Sequence, residues 1–358
     1  MHTPISGSPA RERYDWLDQA RGLIVLMLII SMSTYYYSGD VLSEDIPLGP
    51  TMLNHGYQYF SGVPPLITPI DVGQGIFMFV MGFVGYNAFT RRRQLRGARS
   101  AFLYTVRRVG VLYALAFFEC IVMHYVLFGE TLWRDFFIGS TFTLLALGAL
   151  AGFTTIALLP NADRRIRFAA VLTVIHSLLY ASPYFDHYTG DDNIFHLMSI
   201  PFTVLGLCTV AIAGTCFGQW LHMDPDNPTV GFQKRIVPVT AAALVAAYSM
   251  DWVQPPEPHD ATAAHQLLAV GMAGLMLVGF FASGQNKLRF PLLSAMGKNL
   301  LVMFLLAGFF LEIYFDWIPK EFLVRWPVAA LFLIGILPLA AVSCVAVLLD
   351  RLGIIVRA

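Results

Sequence analysis

From residue 263 to 283 the chain reads AAHQLLAVGMAGLMLVGFFAS, with no Asp, Glu, Lys or Arg. A helix rises about 1.5 Å per residue, so such a run crosses the roughly 30 Å hydrocarbon core of a bilayer. Blocks of this kind recur along the chain, and no soluble domain fits between them. The composition agrees: 57% of residues are hydrophobic, 13% are charged, and the mean hydropathy is +0.63. A soluble domain carries about 25% charged residues. A surface this poor in charge cannot face water throughout, and in lipid the backbone must satisfy its own polar groups, so an all-α polytopic membrane protein is expected.

Helices are expected near 17–37, 70–90, 105–128, 136–159, 167–182, 195–221, 235–253, 263–283, 293–315 and 327–349, about ten crossings in all. They form one transmembrane unit, 17–349, between a polar segment, 1–16, and a short tail, 350–358. No small-residue cleavage site follows the first block, which reads as an uncleaved signal anchor. Pro160, Pro183, Pro225 and Pro228 stand where helices should stop. The longest connection runs from Ser38 to Pro69.

The cationic residues alternate between sides. One set of connections holds Arg11, Arg13 and Arg21; Arg91, Arg92, Arg93, Arg96, Arg99, Arg107 and Arg108; Arg164, Arg165 and Arg167; Lys234 and Arg235; Lys287 and Arg289; and Arg351 and Arg357. Lys298 opens the ninth helix on the same side. Of the 23 Lys and Arg, only Arg134, Lys320 and Arg325 fall opposite. The positive-inside rule makes the basic side cytoplasmic and puts both termini there. The formal net charge is +0, so nothing points to a nucleic-acid partner. Cys120, Cys208, Cys216 and Cys344 all lie in apolar blocks as reduced packing residues, and no spacing resembles a metal site.

Several residues carry chemistry. The first external loop contains Leu53-Asn54-His55-Gly56-Tyr57, and Asp71 opens the second helix. A neutral imidazole accepts a proton near pH 7, and a carboxylate can orient it. Spacing alone favours the plainer reading, a solvated loop histidine and an aspartate that suits the helix dipole. The arginines after the second helix serve topology and lipid headgroups, or form a basic mouth for a phosphate-bearing donor. Glu119, in mid-helix, is either a paired packing residue or a functional one. His176 and Glu312 lie near helix ends, and His196 opens the sixth helix on the outer side. Asn299 either caps the ninth helix or contacts a donor.

Asp15-Trp16-Leu17-Asp18-Gln19-Ala20-Arg21-Gly22 resembles the LD-x-x-RG opening of several multi-pass acyltransferase families. Further segments are similar to the heparan-α-glucosaminide N-acetyltransferase-like family and its bacterial relatives. His55 precedes Asp71, and Asp71 is followed by Phe77-Met78-Phe79-Val80-Met81-Gly82, although Gln74-Gly75 stands where that family has Phe-Pro. Gly206, Gly214 and Gly218-Gln219-Trp220-Leu221 resemble its later glycine-rich helix. Pro291-Leu292-Leu293 with Gly297-Lys298-Asn299-Leu300-Leu301 resembles its P-L…G-x-N-x-L segment. A more distant acyltransferase family, with a histidine soon after its Arg-Gly pair, matches less well, because none occurs between Arg21 and His55.

The resemblance implies acyl transfer across a membrane, with the bacterial inner membrane as the expected location. Acyl-CoA, acetyl-CoA in the first place, would bind at Arg92, Arg107 and Arg108 with Lys298 and Asn299, and no metal is required. The acceptor would be an extracytoplasmic glycan or amino sugar, with His55 as general base and Asp71 as its partner. Besides acyl-CoA and acceptor, the bilayer is a partner, and a homodimer is left open. A transporter or flippase relaying protons through Glu119 and the histidines is the alternative. The chain shows no internal repeat, which many transporters have.

Overall fold

The computed structural model describes residues 14–40, 72–133, 136–137, 140–182, 199–224, 227–254, 256, 261–307 and 311–356. Every regular element among them is helical. The helices are α1 (Asp15–Asp40), α2 (Gly73–Phe117), α3 (His124–Phe128), α4 (Thr141–Leu158), α5 (Ala162–Tyr180), α6 (Ser199–Leu221), α7 (Val237–Asp251), α8 (Ala263–Gln285), α9 (Pro291–Lys298), α10 (Leu300–Leu305), α11 (Leu311–Asp316), α12 (Lys320–Arg325) and α13 (Leu337–Arg351). Among the described residues, six stretches are long and apolar enough to cross a membrane: Gly73–Val126, Thr141–Leu158, Thr203–Leu221, Pro228–Asp251, Ala263–Gln285 and Phe332–Arg351.

The first of these is two crossings joined end to end. Gly97 interrupts α2 with φ 81° and ψ 172°. That left-handed φ suits glycine, which lacks a Cβ. Phe89 and Tyr104 both contact Phe153, with ring centroids 5.6 and 5.9 Å away. Along a straight helix those two positions would lie about 22 Å apart, so the chain must reverse between them. The second and third expected helices are therefore the arms of one hairpin, and the arginine run sits on its turn. Beyond α2, a π-helical turn, Phe118–Met123, carries Glu119 and leads into α3.

Local chemistry explains several helix starts. The Ser140 side chain accepts from Thr143 N–H at 3.2 Å and caps α4. Asn161 accepts from Asp163 N–H at 2.7 Å and caps α5. Each cap satisfies a donor that the first helical turn leaves open. Pro291 occupies the first turn of α9, where its missing N–H costs nothing.

Helix α2 packs along α6 and α4, α1 along α9, α5 along α6, and α7 along α8. Small residues set the closest approaches. A Cβ on Gly82 would strike the Ala211 carbonyl, and one on Gly214 would strike the Phe79 carbonyl. The two glycines let α2 and α6 meet backbone to backbone, the arrangement favoured where lipid provides no hydrophobic drive. A second reciprocal pair joins α1 to α9: Gly22 faces the Leu293 carbonyl and Gly297 the Asp18 carbonyl. Ser294 donates to Asp15 Oδ1 at 2.5 Å beside them. The motif-bearing segments 15–22 and 291–301 are thus one packed unit. The main core holds Phe79 against Phe217 at 4.8 Å and Phe304 between Phe77 and Phe142 at 4.8 and 5.5 Å.

The segment expected as one helix over 293–315 is broken. Asn299, with φ −117° and ψ 39°, ends α9 and starts α10. Hydropathy counts apolar residues and does not register a turn inside an apolar block, which is why the break escapes it.

Candidate active site

Four of the basic residues gather around a cavity of about 550 Å³. Four cations border it: Arg21 from α1, Arg91 and Arg108 from the two arms of the hairpin, and Lys298 from α9. Its deeper wall is apolar, with Phe77, Val80, Val84, Leu112 and Leu145. This combination of an apolar floor and a few convergent charges is the usual form of a small-molecule site.

Helical phase decides which arginines face inward. On the first arm the lining residues Phe77, Val80, Val84, Asn87 and Arg91 recur at helical spacing, and on the second arm Tyr104, Arg108 and Leu112 do the same. Arg92 lies one step off the stripe and rests over the Tyr104 ring at 5.0 Å. Arg107 is exposed on the outside of its arm.

The charges differ in how they are held. Arg21 Nη1 lies 3.3 Å from Asp18 Oδ1, one turn back. Lys298 Nζ pairs with Asp350 Oδ1 at 2.6 Å. Arg108 Nη1 donates to the Tyr104 hydroxyl at 3.1 Å, while its Nε is buried with no hydrogen-bond partner among the described residues. Leaving a desolvated guanidinium N–H unmet is costly, so a shift of the Arg108 side chain that brings it to an anionic acceptor in the cavity would be favourable.

Of the residues singled out from sequence, Arg108 and Lys298 line this cavity, and Arg92 stands behind it through Tyr104. Asn299 is fully buried, but its side chain makes no cap hydrogen bond. Instead Nδ2 donates to Ile354 O at 2.9 Å and Oδ1 accepts from Val356 N–H at 2.8 Å. His55, Asp71 and His196 lie outside the described residues. Glu119 is half-buried, with Cys120 Sγ 4.0 Å from its Oε2. Arg91, from the arginine run that could form a basic mouth, lines the cavity too; Asp18, Asn87, Tyr104 and His222 also line it and were not expected as site residues. Extending the apolar stripe of the second helix by further turns would have reached Asn87 and Arg91.

Elsewhere in the bundle, the described residues form a network of uncharged amides and hydroxyls. Gln266 Oε1 accepts from Thr173 and Thr209 hydroxyls at 2.8 and 2.7 Å, and its Nε2 donates to Ala261 O at 2.7 Å. Gln254 Oε1 accepts from the Ser177 hydroxyl at 3.0 Å. His176 and His265 are buried here, and His265 lies against Gly75. Among the described residues no group of His, Cys, Asp and Glu side chains could hold a metal ion.

No curated protein matches the chain. Residues 14–347, from the first cavity-lining side chain into α13, match the family described as acyltransferase domain. With apolar crossings, a basic cavity and this match over nearly its whole length, the chain belongs to the acyltransferase domain family and is a multi-pass membrane acyltransferase.

Proposed function

We propose that the protein takes an acyl group, acetyl first of all, from acyl-CoA at its basic end and passes it to a glycan or amino-sugar acceptor across the membrane. The observation that carries this reading is the cavity: Arg21, Arg91, Arg108 and Lys298 surround an apolar floor, and the buried Arg108 Nε has no acceptor among the described residues. Acyl-CoA has the complementary form, with phosphates for the guanidinium groups and an uncharged arm for the floor. The basic end then faces the cytoplasm, where acyl-CoA is made, and the membrane is the bacterial inner membrane. The narrower likeness to the heparan-α-glucosaminide N-acetyltransferase-like family rests on the sequence segments around Asp71, Gly206–Leu221 and Pro291–Leu301.

In this reading the acceptor oxygen or nitrogen attacks the thioester carbonyl and loses its proton to His55. Asp71 stabilises the imidazolium that forms. The tetrahedral intermediate collapses, the carbon–sulfur bond breaks, and the thiolate takes a proton to leave as free CoA. The products are the acylated acceptor and CoA, and the base is restored. Arg108 and its neighbours bind and orient the donor.

The test is release of free CoA from acetyl-CoA by the protein in vesicles, on addition of amino-sugar acceptors. Acceptor-dependent release is expected, and His55→Ala should lower kcat by roughly 10²–10⁴-fold, the usual contribution of a general base, with donor binding intact. Near-normal turnover of His55→Ala would remove the base assignment. Acceptor flux with no CoA release would replace the enzyme reading with transport.

A further inference from the structure

Helix α13 does not run straight out of the bundle. Gly353, at φ 67°, turns the chain back: Ile354 N–H bonds to Leu349 O at 2.9 Å and Gly353 N–H to Asp350 O at 3.1 Å. This is a Schellman ending, which glycine permits. The returning segment is then gripped by Asn299. Its carboxamide donates to Ile354 O and accepts from Val356 N–H, at 2.9 and 2.8 Å. An amide bonded to backbone groups two residues apart does the work of a neighbouring strand, and reads backbone rather than side chain. Lys298 ties down the preceding helix end through Asp350 at 2.6 Å.

The result is that Ile355 and Val356 line the basic cavity. They remain 38% and 45% exposed, an unfavourable state for aliphatic side chains at a mouth ringed with charge. A ligand with an uncharged stretch next to its phosphates would cover them. We propose that Ile355 and Val356 form an apolar wall of the donor site, contacting the uncharged arm of acyl-CoA, and that Asn299 is the positioning residue that holds this wall in place. The inference rests on the acyl-CoA reading of the cavity. It also gives Asn299 its use: the residue serves the donor through the segment it holds, and its buried carboxamide is already occupied by backbone.

The test uses the full-length protein in nanodiscs. Ile355→Ser weakens the wall. Val356→Pro removes the N–H that Asn299 accepts and leaves the helix bundle untouched. Asn299→Ala releases the segment altogether. Each is expected to raise the KM for acetyl-CoA and the Kd for CoA by about three- to tenfold, the scale of losing one or two methyl-sized contacts, with kcat within about twofold; Ile355→Ser should leave the melting temperature unchanged, while Val356→Pro, which strands the buried Asn299 Oδ1, should lower it modestly as well. A purely structural role for the segment would lower the melting temperature and leave KM alone. If the unaltered protein binds acetyl-CoA and both segment variants bind it equally well, the wall is refuted while the donor site stands. If the unaltered protein binds no acyl-CoA, the donor reading fails and the wall fails with it.

Discussion

Two arginines of this bundle are held in opposite ways. Arg165, on α5, is completely buried, and each of its three guanidinium nitrogens has an acceptor. Its Nη1 donates to Leu159 O at 2.8 Å, Nε to the Thr215 hydroxyl at 3.1 Å, and Nη2 to Gln219 Oε1 at 2.6 Å, while the Tyr86 ring lies 5.2 Å from its Cζ. No carboxylate is among these partners. The cation sits at the carbonyl end of α4, where the helix dipole favours it. Arg108, on the hairpin, has one hydroxyl partner, a buried Nε without one among the described residues, and a cavity in front of it. The first closes a seam between α4, α5 and α6. The second leaves hydrogen-bonding capacity for a ligand. What distinguishes these two arginines is how many of their donors are met within the protein.

The sharpest way to break this comparison is to exchange the consequences. Arg165→Met should cost about 3–5 kcal/mol of stability, since it strands Gln219, Thr215 and a helix-end carbonyl. The donor Kd per folded molecule should stay within about twofold. Chemical denaturation in detergent followed by ligand binding would check both. Arg108→Gln should do the reverse: donor KM up by about 10–100-fold, as for losing a charge-assisted hydrogen bond, with a stability change below about 1 kcal/mol. If Arg108→Gln unfolds the protein and Arg165→Met weakens donor binding, the roles are inverted.

Gly82→Ala adds a Cβ against the Ala211 carbonyl, and overpacking of this kind costs about 1–3 kcal/mol. It should lower the melting temperature without raising donor KM, because the contact is in the α2–α6 seam, away from the cavity wall. The smallest effect belongs to Arg107→Gln. Its neighbour faces the cavity, but Arg107 is exposed on the outer face of the same helix, so donor KM should change by less than about twofold, as is usual for a screened surface charge. A loss equal to that of Arg108→Gln would mean that charge alone, and not helical phase, governs the donor site.

Apolar block length carried most of the fold. The hairpin arms, α4, α6, α7 and α8 stand close to where hydropathy puts them, because a block that fills the bilayer has little choice but to be a helix. The turn at Gly97 was hidden in a run of arginines that reads as a loop. The break at Asn299 was hidden because its neighbours Leu300, Leu301 and Val302 are as apolar as any helix. The site was legible in kind, as arginines at one end, and not in membership. Arg91 and Arg108 are distinguished from Arg92 and Arg107 by phase on the hairpin, which depends on where its arms pack. Arg165 looked like one more topogenic charge, since nothing local marks the acceptors from α4 and α6 that surround it. The occupation of Asn299 by residues 354–356 is a contact across more than fifty positions, beyond any local pattern.

The claim that the basic cavity is a donor site has its most direct test in calorimetric titration of CoA into the purified protein, beside Arg108→Gln and Arg165→Met at matched folded fraction. Saturable binding by the unaltered protein, weakened at least about tenfold by Arg108→Gln and kept by Arg165→Met, is the predicted result. No binding by the unaltered protein, or equal binding by the Arg108→Gln variant, would contradict it.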